Sequence, residues 1–400
     1  MKRTFLTLFA VCVAVLLSAQ NTELSQEQGI EKYLELRKSL GKVWDKKNFS
    51  EMEKILNQQI DIVNLLSKED KEQFIWLKND VLYNFACLYS LQNKKKKALQ
   101  TFEECVKFNY NDYQHILQDT DLDNIRNDNK FKELLKIIRE RSDFVYILQQ
   151  AEKYEQSDTA GLPQFTYQSE ENGNLRDVRR YFKLDSIAGD GDEILKILNL
   201  MYWVHNNIRH DGNNWALAEC DAIDLYNYHK ATGKGINCRL LAITLNEMYL
   251  AMGICSRYVT CLPKSTTDTE CHVINAVFSQ TLKKWIWIDP TNAAYIKDEN
   301  GNFLGIAETR ARLIDGRPLV LNEDANWNNE NLKTKEDYLY NYMAKNLYRF
   351  QCPVNSCFNP ESRYRNNNQT YVSLNPSDYE YKNPYVEDIV THDEKYFWED

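Results

Sequence analysis

Glycine and proline are scarce: the chain of 400 residues contains only 13 glycines and 8 prolines. This scarcity excludes collagen-like repeats and long flexible linkers. Hydrophobic residues make up 43% of the chain and charged residues 27%, which are ordinary proportions for a folded globular protein. The length predicts two or three domains, and the apolar content suffices for cores that require neither metal ions nor disulfides.

An excess of positive charge is also absent. The formal net charge is −9, and removal of Lys2 and Arg3 with a leader peptide would change it to −11. Nucleic-acid binding requires a basic surface that neutralises phosphates. We therefore predict no nucleic-acid partner, and we interpret the distributed acidic charge as a source of solubility.

Only one long apolar run occurs, and it lies at the N-terminus. Lys2 and Arg3 precede the apolar residues 5–17, and residues 18–19 supply small side chains for cleavage. This order is typical of a signal peptide over residues 1–20, and the apolar run is shorter than a membrane-spanning helix requires. We predict export to an extracytoplasmic location (periplasm, cell surface or medium) and no membrane span after cleavage.

The cysteines do not form a compact disulfide framework. There are ten, and loss of Cys12 with the signal peptide would leave nine. An odd number means that at least one thiol stays unpaired or joins another chain. Cys352 and Cys357 are the best placed for a local disulfide. No Cys-x₂-Cys spacing occurs, so we predict no structural zinc site and no metal or other cofactor.

Residues 21–150 are predicted to form helices, because apolar residues recur there at helical spacing. Residues 79–112 resemble a single tetratricopeptide unit, although a generic helical hairpin fits the pattern equally well. The alternating acids of residues 119–123 lack the glycine and late glutamate of a calcium loop, so we interpret them as a helix-capping turn. We expect this region to pack internally or to bind a protein partner. The residues at the tetratricopeptide packing positions are Leu82, Ala86, Tyr89, Ala98, Phe102 and Cys105.

A polar stretch at residues 156–174 separates the helical region from a segment with a different pattern. In that segment, two glycines and Asn237 precede an apolar helix that ends at Gly253, which places Cys238 in its first turn. The unpaired amides and the positive dipole end of a helix start favour a thiolate. They also provide an N–H group that can stabilise an oxyanion.

His272 and Asp289 lie in a predicted antiparallel hairpin. His272 begins one apolar strand, and Asp289 ends the strand that returns after a turn at residues 280–284. Such positions lie side by side at one end of the hairpin. A carboxylate beside an imidazole fixes its tautomer, and the imidazole can in turn hold Cys238 as a thiolate.

Four sequence strings together resemble the core of the transglutaminase-like superfamily over about residues 190–300. Cys238 and His272 are 34 residues apart, and Asp289 follows 17 residues later, in the order that this family shows. The strings are Gly-Ile-Asn-Cys-Arg-Leu-Leu-Ala, Met-Gly-Ile-Cys-Ser-Arg-Tyr-Val, Cys-His-Val-Ile-Asn-Ala-Val and Lys-Trp-Ile-Trp-Ile-Asp-Pro-Thr.

The resemblance implies an α+β, papain-like core in which the helix carrying the cysteine packs on an antiparallel sheet. This core is expected at residues 160–325, after an all-α helical-hairpin domain at 21–150. Residues 326–400, rich in Tyr and Asn, are expected as an extension packed on the core. The resemblance also implies a catalytic triad for attack on an amide carbonyl to give a thioester. Its members would be Cys238 as nucleophile, His272 as general base and acid, and Asp289 as orienting carboxylate.

Other residues near these motifs receive less specific interpretations. The second oxyanion donor stays open between Trp203 and Trp215, because some family members use an upstream tryptophan. His205 and His210 do not share a helical face and are not expected to bind a metal. Arg257 is expected to form a structural ion pair or hydrogen bonds. Three further cysteines are expected to be small packing residues: Cys255, Cys261 and Cys271.

The predicted function is an exported, cysteine-dependent amide hydrolase or acyl transferase that acts on a protein or peptide. Hydrolysis is favoured over crosslinking by analogy with exported relatives. In many family members the catalytic His is followed by Ala or Thr and then Trp, whereas Val273 follows His272 here. This departure leaves the substrate preference open. The alternative is a noncatalytic binding or assembly protein that uses the same fold and the N-terminal helices.

Overall fold

A computed structural model describes residues 26–66, 73–155, 159–362 and 369–399. The predicted signal peptide lies outside these residues. Within them, no helix has both the length and the apolar character that a membrane crossing requires. The chain divides after Asp143 into two compact units. This boundary precedes the expected one at residue 150, because Leu148 is buried in the core of the second unit.

The first unit contains only helices within its described residues. Short polar residues cap several of them; Asn48, for example, accepts a hydrogen bond from the Glu51 amide at 3.3 Å. The helices are α1 (Gln26–Trp44), α2 (Phe49–Leu65), α3 (Ile75–Leu91), α4 (Lys95–Lys107), α5 (Tyr113–Gln118), α6 (Asp123–Arg126) and α7 (Asn129–Ser142), with a 3₁₀ turn at Thr120–Leu122.

Helices α3 and α4 form the helical hairpin that the sequence predicts. Ala86 on α3 and Ala98 on α4 are fully buried, and so is Phe102, which stacks on Phe131 with ring centroids 5.0 Å apart. Small residues at facing positions let two helices approach closely, while the aromatic rings fill the seam between them. In the following turn, Asp119 accepts a hydrogen bond from the Asp121 amide at 2.9 Å and so caps the 3₁₀ turn.

The second unit combines helices with a central sheet. Its α-helices are α8 (Phe144–Gln150), α9 (Gly173–Phe182), α10 (Leu184–Ala188), α11 (Glu193–Asn207), α12 (Ala222–Thr232), α13 (Cys238–Ala251), α14 (Ile306–Asp315), α15 (Ala344–Asn346) and α16 (Glu394–Trp398). A π-helix spans Glu336–Met343. Helix α13 is apolar and almost wholly buried, because it packs on strands of the sheet. The unit therefore has the α+β, papain-like architecture that the sequence predicts.

The central sheet has six strands in the order β12-β11-β9-β2-β3-β4. Neighbouring strands are antiparallel except β11 and β12, which are parallel. The six strands are β2 (Ser256–Leu262), β3 (His272–Ser279), β4 (Lys284–Ile288), β9 (Arg349–Pro353), β11 (Thr370–Leu374) and β12 (Glu387–Thr391). Short paired strands are β1 (Thr166–Tyr167) with β10 (Asn355–Ser356), β5 (Ile296–Lys297) with β6 (Val320–Leu321), and β7 (Asn326–Trp327) with β8 (Asn331–Leu332).

Residues after 325 form part of the core, where the sequence led us to expect an extension packed on it. They supply β9, β11 and β12, which are half of the central sheet. Strand β9 pairs directly with β2, and Cys261 lies opposite Phe350. The alternating polar residues Arg349 and Gln351 obscured this strand in the sequence, although both are buried.

Cys352 and Cys357 do not form the local disulfide that the sequence favours, and the surroundings of Arg257 are mainly aromatic. Among the described residues no cysteine forms a disulfide. Cys352 is fully buried in the sheet core, and Cys357 is half-buried. Arg257 is also buried, and aromatic rings surround its guanidinium in place of a carboxylate. Its central carbon lies 4.4 Å from the ring centroid of Trp285 and 4.6 Å from that of Phe165, which is cation–π geometry.

Candidate active site

Cys238 is the first residue of helix α13. Asn237 is the N-cap, with φ −75° and ψ 170°, and its side chain accepts a hydrogen bond from the Leu240 amide at 3.1 Å. This cap orients the first turn of the helix. The amides of that turn have no acceptor within the helix, so they can face a negative charge near the thiol.

The loop before Cys238 lies tightly against residues 209–211. The Asp211 amide donates to the Ile236 carbonyl at 2.8 Å, and the Ile236 amide donates to the Arg209 carbonyl at 2.9 Å. A Cβ atom on Gly235 would lie 2.7 Å from the Arg209 carbonyl oxygen. A glycine is therefore required for this close approach of two backbones.

His272 and Asp289 form a buried pair beneath the thiol. The Nε2 atom of His272 lies 2.8 Å from Oδ2 of Asp289, and both side chains are almost inaccessible to solvent. A carboxylate can only accept here, so Nε2 carries the proton, and Nδ1 is left to face Cys238. The structure thus brings the three predicted site residues together: Cys238 begins α13, His272 begins β3, and Asp289 directly follows β4.

Asp289 receives four hydrogen bonds besides the one from His272. The hydroxyl of Tyr338 and the side-chain amide of Asn292 donate to Oδ2 at 2.7 and 2.9 Å. The backbone amides of Thr291 and Asn292 donate to Oδ1 at 2.8 and 3.3 Å. Burial by itself raises the pKa of this carboxyl, but the His272 charge and these donors outweigh it and lower the pKa to about 2.

His272 is held as the imidazolium. Burial by itself lowers its pKa, but the electrostatic influence of the Tyr342 hydroxyl and of the Asp289 carboxylate holds the pKa well above the usual value. The Tyr342 ring also packs against the imidazole, with centroids 5.2 Å apart and an interplanar angle of 62°. Both tyrosines that touch the pair, Tyr338 and Tyr342, belong to the π-helix.

The thiol of Cys238 is half-buried and is surrounded by donors. Burial by itself raises its pKa, but hydrogen bonds from the side chains of His210 and His272, the charge of His272 and a hydrogen bond from the Val273 amide lower the pKa to about 6. At neutral pH the sulfur is therefore mainly a thiolate beside an imidazolium. A thiolate is the nucleophilic form of cysteine.

His210 is a neighbour of the Cys238 thiol that the sequence interpretation missed. It was considered only as a metal ligand, whereas its ring lies at the sulfur of Cys238. The Trp327 indole donates to Nδ1 of His210 at 2.9 Å, and the His210 amide donates to Oδ1 of Asn328 at 2.8 Å. No local pattern could have revealed this, because Trp327 and Asn328, which hold His210 in place, lie more than a hundred residues downstream.

Trp203, Trp215 and His205 were also considered from the sequence, and their surroundings are as follows. Trp203 packs against the rings of Phe182 and Tyr226, with centroids 5.2 and 5.4 Å away. Trp215 is 58% exposed. His205 contacts the Pro290 carbonyl oxygen at 3.0 Å and so fixes the loop after Asp289. Within the described parts of the chain, no group of three or more His, Cys, Asp or Glu residues is arranged to hold a metal ion.

Arg239, directly after Cys238, forms a second charged pair. Its guanidinium lies 2.6 Å from the carboxylate of Glu361, and both side chains are more than four-fifths buried. The hydroxyls of Tyr258 and Tyr371 donate to the same carboxylate at 3.0 and 2.7 Å. This network connects the start of α13 to strands β2 and β11 and stabilises the position of the nucleophile.

Comparison with known proteins agrees with this geometry. Residues 181–290 match the sequence model of the transglutaminase-like superfamily, and residues 51–145 match that of the A/B hydrolase-like N-terminal domain. The second match differs from the tetratricopeptide family that the helical pattern resembles. No curated protein matches the chain.

A solved structure from Cytophaga hutchinsonii, named as a candidate cysteine protease, is also similar. It shows 16% identity and a TM-score of 0.23, and the match covers 42% of this chain and 55% of that one. The chain thus spans little more than half the length of that protein.

The second unit carries a domain of the transglutaminase-like superfamily, and Cys238, His272 and Asp289 all fall within the matched residues. This assignment supports a cysteine-dependent enzyme in general.

Proposed function

We propose that this protein is a cysteine-dependent amide hydrolase that acts on a protein or peptide through a thioester. The observation that supports it best is the chain of contacts from the Cys238 sulfur through His272 to Asp289. In this arrangement the pKa of the Cys238 thiol is lowered to about 6. A scaffold protein has no need for a buried imidazolium beside a thiolate at a helix start.

In the first half-reaction, the Cys238 thiolate attacks the amide carbonyl carbon. The carbonyl π electrons move to oxygen and form a tetrahedral oxyanion. His272 then donates its proton to the leaving nitrogen, the C–N bond breaks and a thioester remains on Cys238. Asp289 keeps the imidazole oriented and stabilises its positive charge throughout.

In the second half-reaction, neutral His272 removes a proton from water as the oxygen attacks the thioester carbonyl. Collapse of the second tetrahedral intermediate releases a carboxylic acid and restores the thiolate–imidazolium pair. An amine in place of water would give transfer or crosslinking by the same steps. We propose hydrolysis because water needs no dedicated binding site. We also propose that the reaction takes place outside the cytoplasm, which the pattern of residues 1–20 supports.

The test measures acylation of Cys238 by p-nitrophenyl acetate and its alkylation by iodoacetamide between pH 4 and pH 9. We expect a burst of nitrophenolate, an acetyl group mapped to Cys238 by mass spectrometry, and alkylation that is already rapid near pH 7. His272→Ala should slow both reactions at pH 7 by about 10²-fold or more, because the imidazole no longer stabilises the thiolate. Peptide and protein substrates are then screened with water or an added amine as acceptor.

Cys357→Ser provides a matched control, because Cys357 is also half-buried but burial raises the pKa of its thiol to about 11. This variant should react like the wild type. A Cys238 thiol that is neither acylated nor alkylated faster than an ordinary thiol at pH 7 would overturn the enzyme proposal. It would then favour the binding or assembly function.

A further inference from the structure

His210 is a second histidine at the sulfur of Cys238, and its protonation state is constrained. The indole nitrogen of Trp327 can only donate a hydrogen bond, and it lies 2.9 Å from Nδ1 of His210. Nδ1 must therefore accept, and the single ring proton resides on Nε2. Protonation of Nδ1 would turn this hydrogen bond into a contact between two donors. Trp327 thus holds His210 as a neutral imidazole with an N–H at its other nitrogen.

The backbone around His210 fixes the ring in place. The Asn328 side chain accepts from the His210 amide at 2.8 Å and donates to the His210 carbonyl at 3.1 Å. His210 also pairs with Ile236, two residues before Cys238, in a parallel β-bridge. The donor and the nucleophile are therefore built on two directly hydrogen-bonded segments. Such rigidity is what an electrostatic stabiliser needs, because no reorganisation is then required during the reaction.

The reaction requires a donor at this position. When the thiolate attacks a carbonyl, negative charge moves from the sulfur to the carbonyl oxygen, which is bonded to the same carbon. The sulfur and this oxygen then lie about 3 Å apart, a separation similar to the length of one hydrogen bond. A donor directed at the sulfur in the resting site is close to the place where that oxygen forms. His272 cannot serve, because its proton is consumed by the leaving group. The first amides of α13 supply one donor. Trp203, which the sequence suggested as a second donor, packs in an aromatic cluster with Phe182 and Tyr226.

We propose that His210 is a catalytic residue of this site: as a neutral imidazole fixed by Trp327, it donates its Nε2 proton in a hydrogen bond to the oxyanion of the tetrahedral intermediates. The proton stays on Nε2 throughout, so His210 takes no part in acid–base transfer. This inference rests on the proposed acyl-transfer function.

Two reactions of the same thiol separate this role from simple thiolate stabilisation. Alkylation by iodoacetamide displaces iodide and forms no oxyanion, whereas acylation by p-nitrophenyl acetate passes through one. The pH profile of each reaction yields a limiting rate constant above the pKa of the thiol, where the sulfur is fully ionised in every variant. Comparison of these limiting values removes any change in the pKa.

We expect His210→Ala to lower the limiting acylation rate by about 10²- to 10³-fold, the usual effect of losing one oxyanion donor. Its limiting alkylation rate should stay within about threefold of the wild type, which also shows that the site is folded. His210→Gln can present an N–H near the same point and should recover about tenfold or more of the lost acylation rate. Trp327→Phe should lower acylation as well, because the ring is no longer held in the required tautomer. His392→Ala, a histidine of the same unit outside the site, is the matched control.

Equal limiting acylation rates in the wild type and in His210→Ala would overturn the proposal. Equal losses in acylation and alkylation would also overturn it, because they would show a general effect on the thiol. Failure of the proposed function itself gives a different result, since the wild-type protein would then form no acetyl-Cys238 at all.

Discussion

The hydroxyl of Tyr338 donates a 2.7 Å hydrogen bond to the same Asp289 oxygen that accepts from His272. Tyr338 in turn accepts from the indole of Trp287 at 3.0 Å. Four residues later, Tyr342 packs on the His272 ring. A single element, the π-helix, thus contacts both members of the His–Asp pair. Widened helical turns of this kind are often found at functional sites.

Tyr338→Phe tests how much the hydrogen bond from Tyr338 to Asp289 contributes to stability and to acylation. Loss of the hydroxyl removes a hydrogen bond to a buried carboxylate and leaves the Trp287 indole without its acceptor. We expect the free energy of unfolding to fall by about 1–3 kcal/mol. Acylation should slow by about tenfold, because Asp289 orients His272 less firmly. Urea denaturation and the p-nitrophenyl acetate burst measure the two effects. Tyr385→Phe, at a tyrosine that is 91% exposed, should change neither.

The low pKa of Asp289 predicts that the free energy of unfolding decreases at acidic pH. Its pKa is lowered to about 2 in the folded protein from an ordinary value of 3.8, so the folded state favours the ionised form. The resulting stabilisation is fully present above pH 4 and is lost as the pH falls through 2. Its size is about 2 kcal/mol, at about 1.4 kcal/mol for each pKa unit.

Asp289→Asn should therefore flatten the decrease of unfolding free energy between pH 4 and pH 2, as measured by urea denaturation at each pH. The variant should also be less stable than the wild type at pH 6. Asp190→Asn, at an aspartate outside the site, should retain the wild-type slope. An unchanged slope in Asp289→Asn would show that this carboxylate is not the source of the acid dependence.

Gly235→Ala tests the close approach of the loop before Cys238. The new Cβ atom would lie 2.7 Å from the Arg209 carbonyl oxygen and 2.9 Å from the Asp211 amide nitrogen, so backbone must move. We expect a loss of about 1–3 kcal/mol in unfolding free energy, which is typical of overpacking. Acylation should fall more than alkylation, because the displaced segment carries His210. Gly173→Ala, where no atom lies within 4 Å of the new Cβ, is the control and should be close to neutral.

Glu361→Gln leaves Arg239 without its counter-charge in a largely buried position. We expect a destabilisation of about 3–5 kcal/mol, the usual result of breaking a buried ion pair from one side. Glu330→Gln is matched in chemistry, since the Glu330 pair with Arg209 has the same 2.6 Å distance but is about half exposed. Its effect on thermal unfolding should be much smaller. Similar losses in the two variants would show that burial does not determine the strength of the Arg239–Glu361 pair.

The residues of the proposed triad could be recognised from the sequence because each lies at the end of a regular element. Asn237 and the preceding glycines indicate a helix start, which located Cys238. Apolar β-branched runs with a turn between them indicate a hairpin, which located His272 and Asp289. These signals act over a few residues, so a linear reading detects them.

The remaining parts of the site lack such signals. His210 and Trp327 are 117 residues apart in the sequence, and hydrogen bonds of His210 with Trp327 and Asn328 bring the two segments together. Strand β9 was missed because buried Arg349 and Gln351 interrupt its apolar pattern; the Arg349 guanidinium donates to the Pro263 carbonyl at 3.2 Å. Arg257 was expected to form an ion pair or hydrogen bonds; the aromatic rings around it come from three separate segments, at Phe165, at Trp285 and at Phe397–Trp398.

Local preferences were therefore enough to place the nucleophile at a helix start, the His–Asp pair on neighbouring strands, and an all-helical region before them. Folding of the whole second unit was needed to complete the sheet with β9, β11 and β12 and to set His210 and Tyr338 around the site. The physical reason is sequence distance. Capping and periodicity depend on neighbours within one or two turns, whereas these contacts depend on loops that approach each other only after the core has packed.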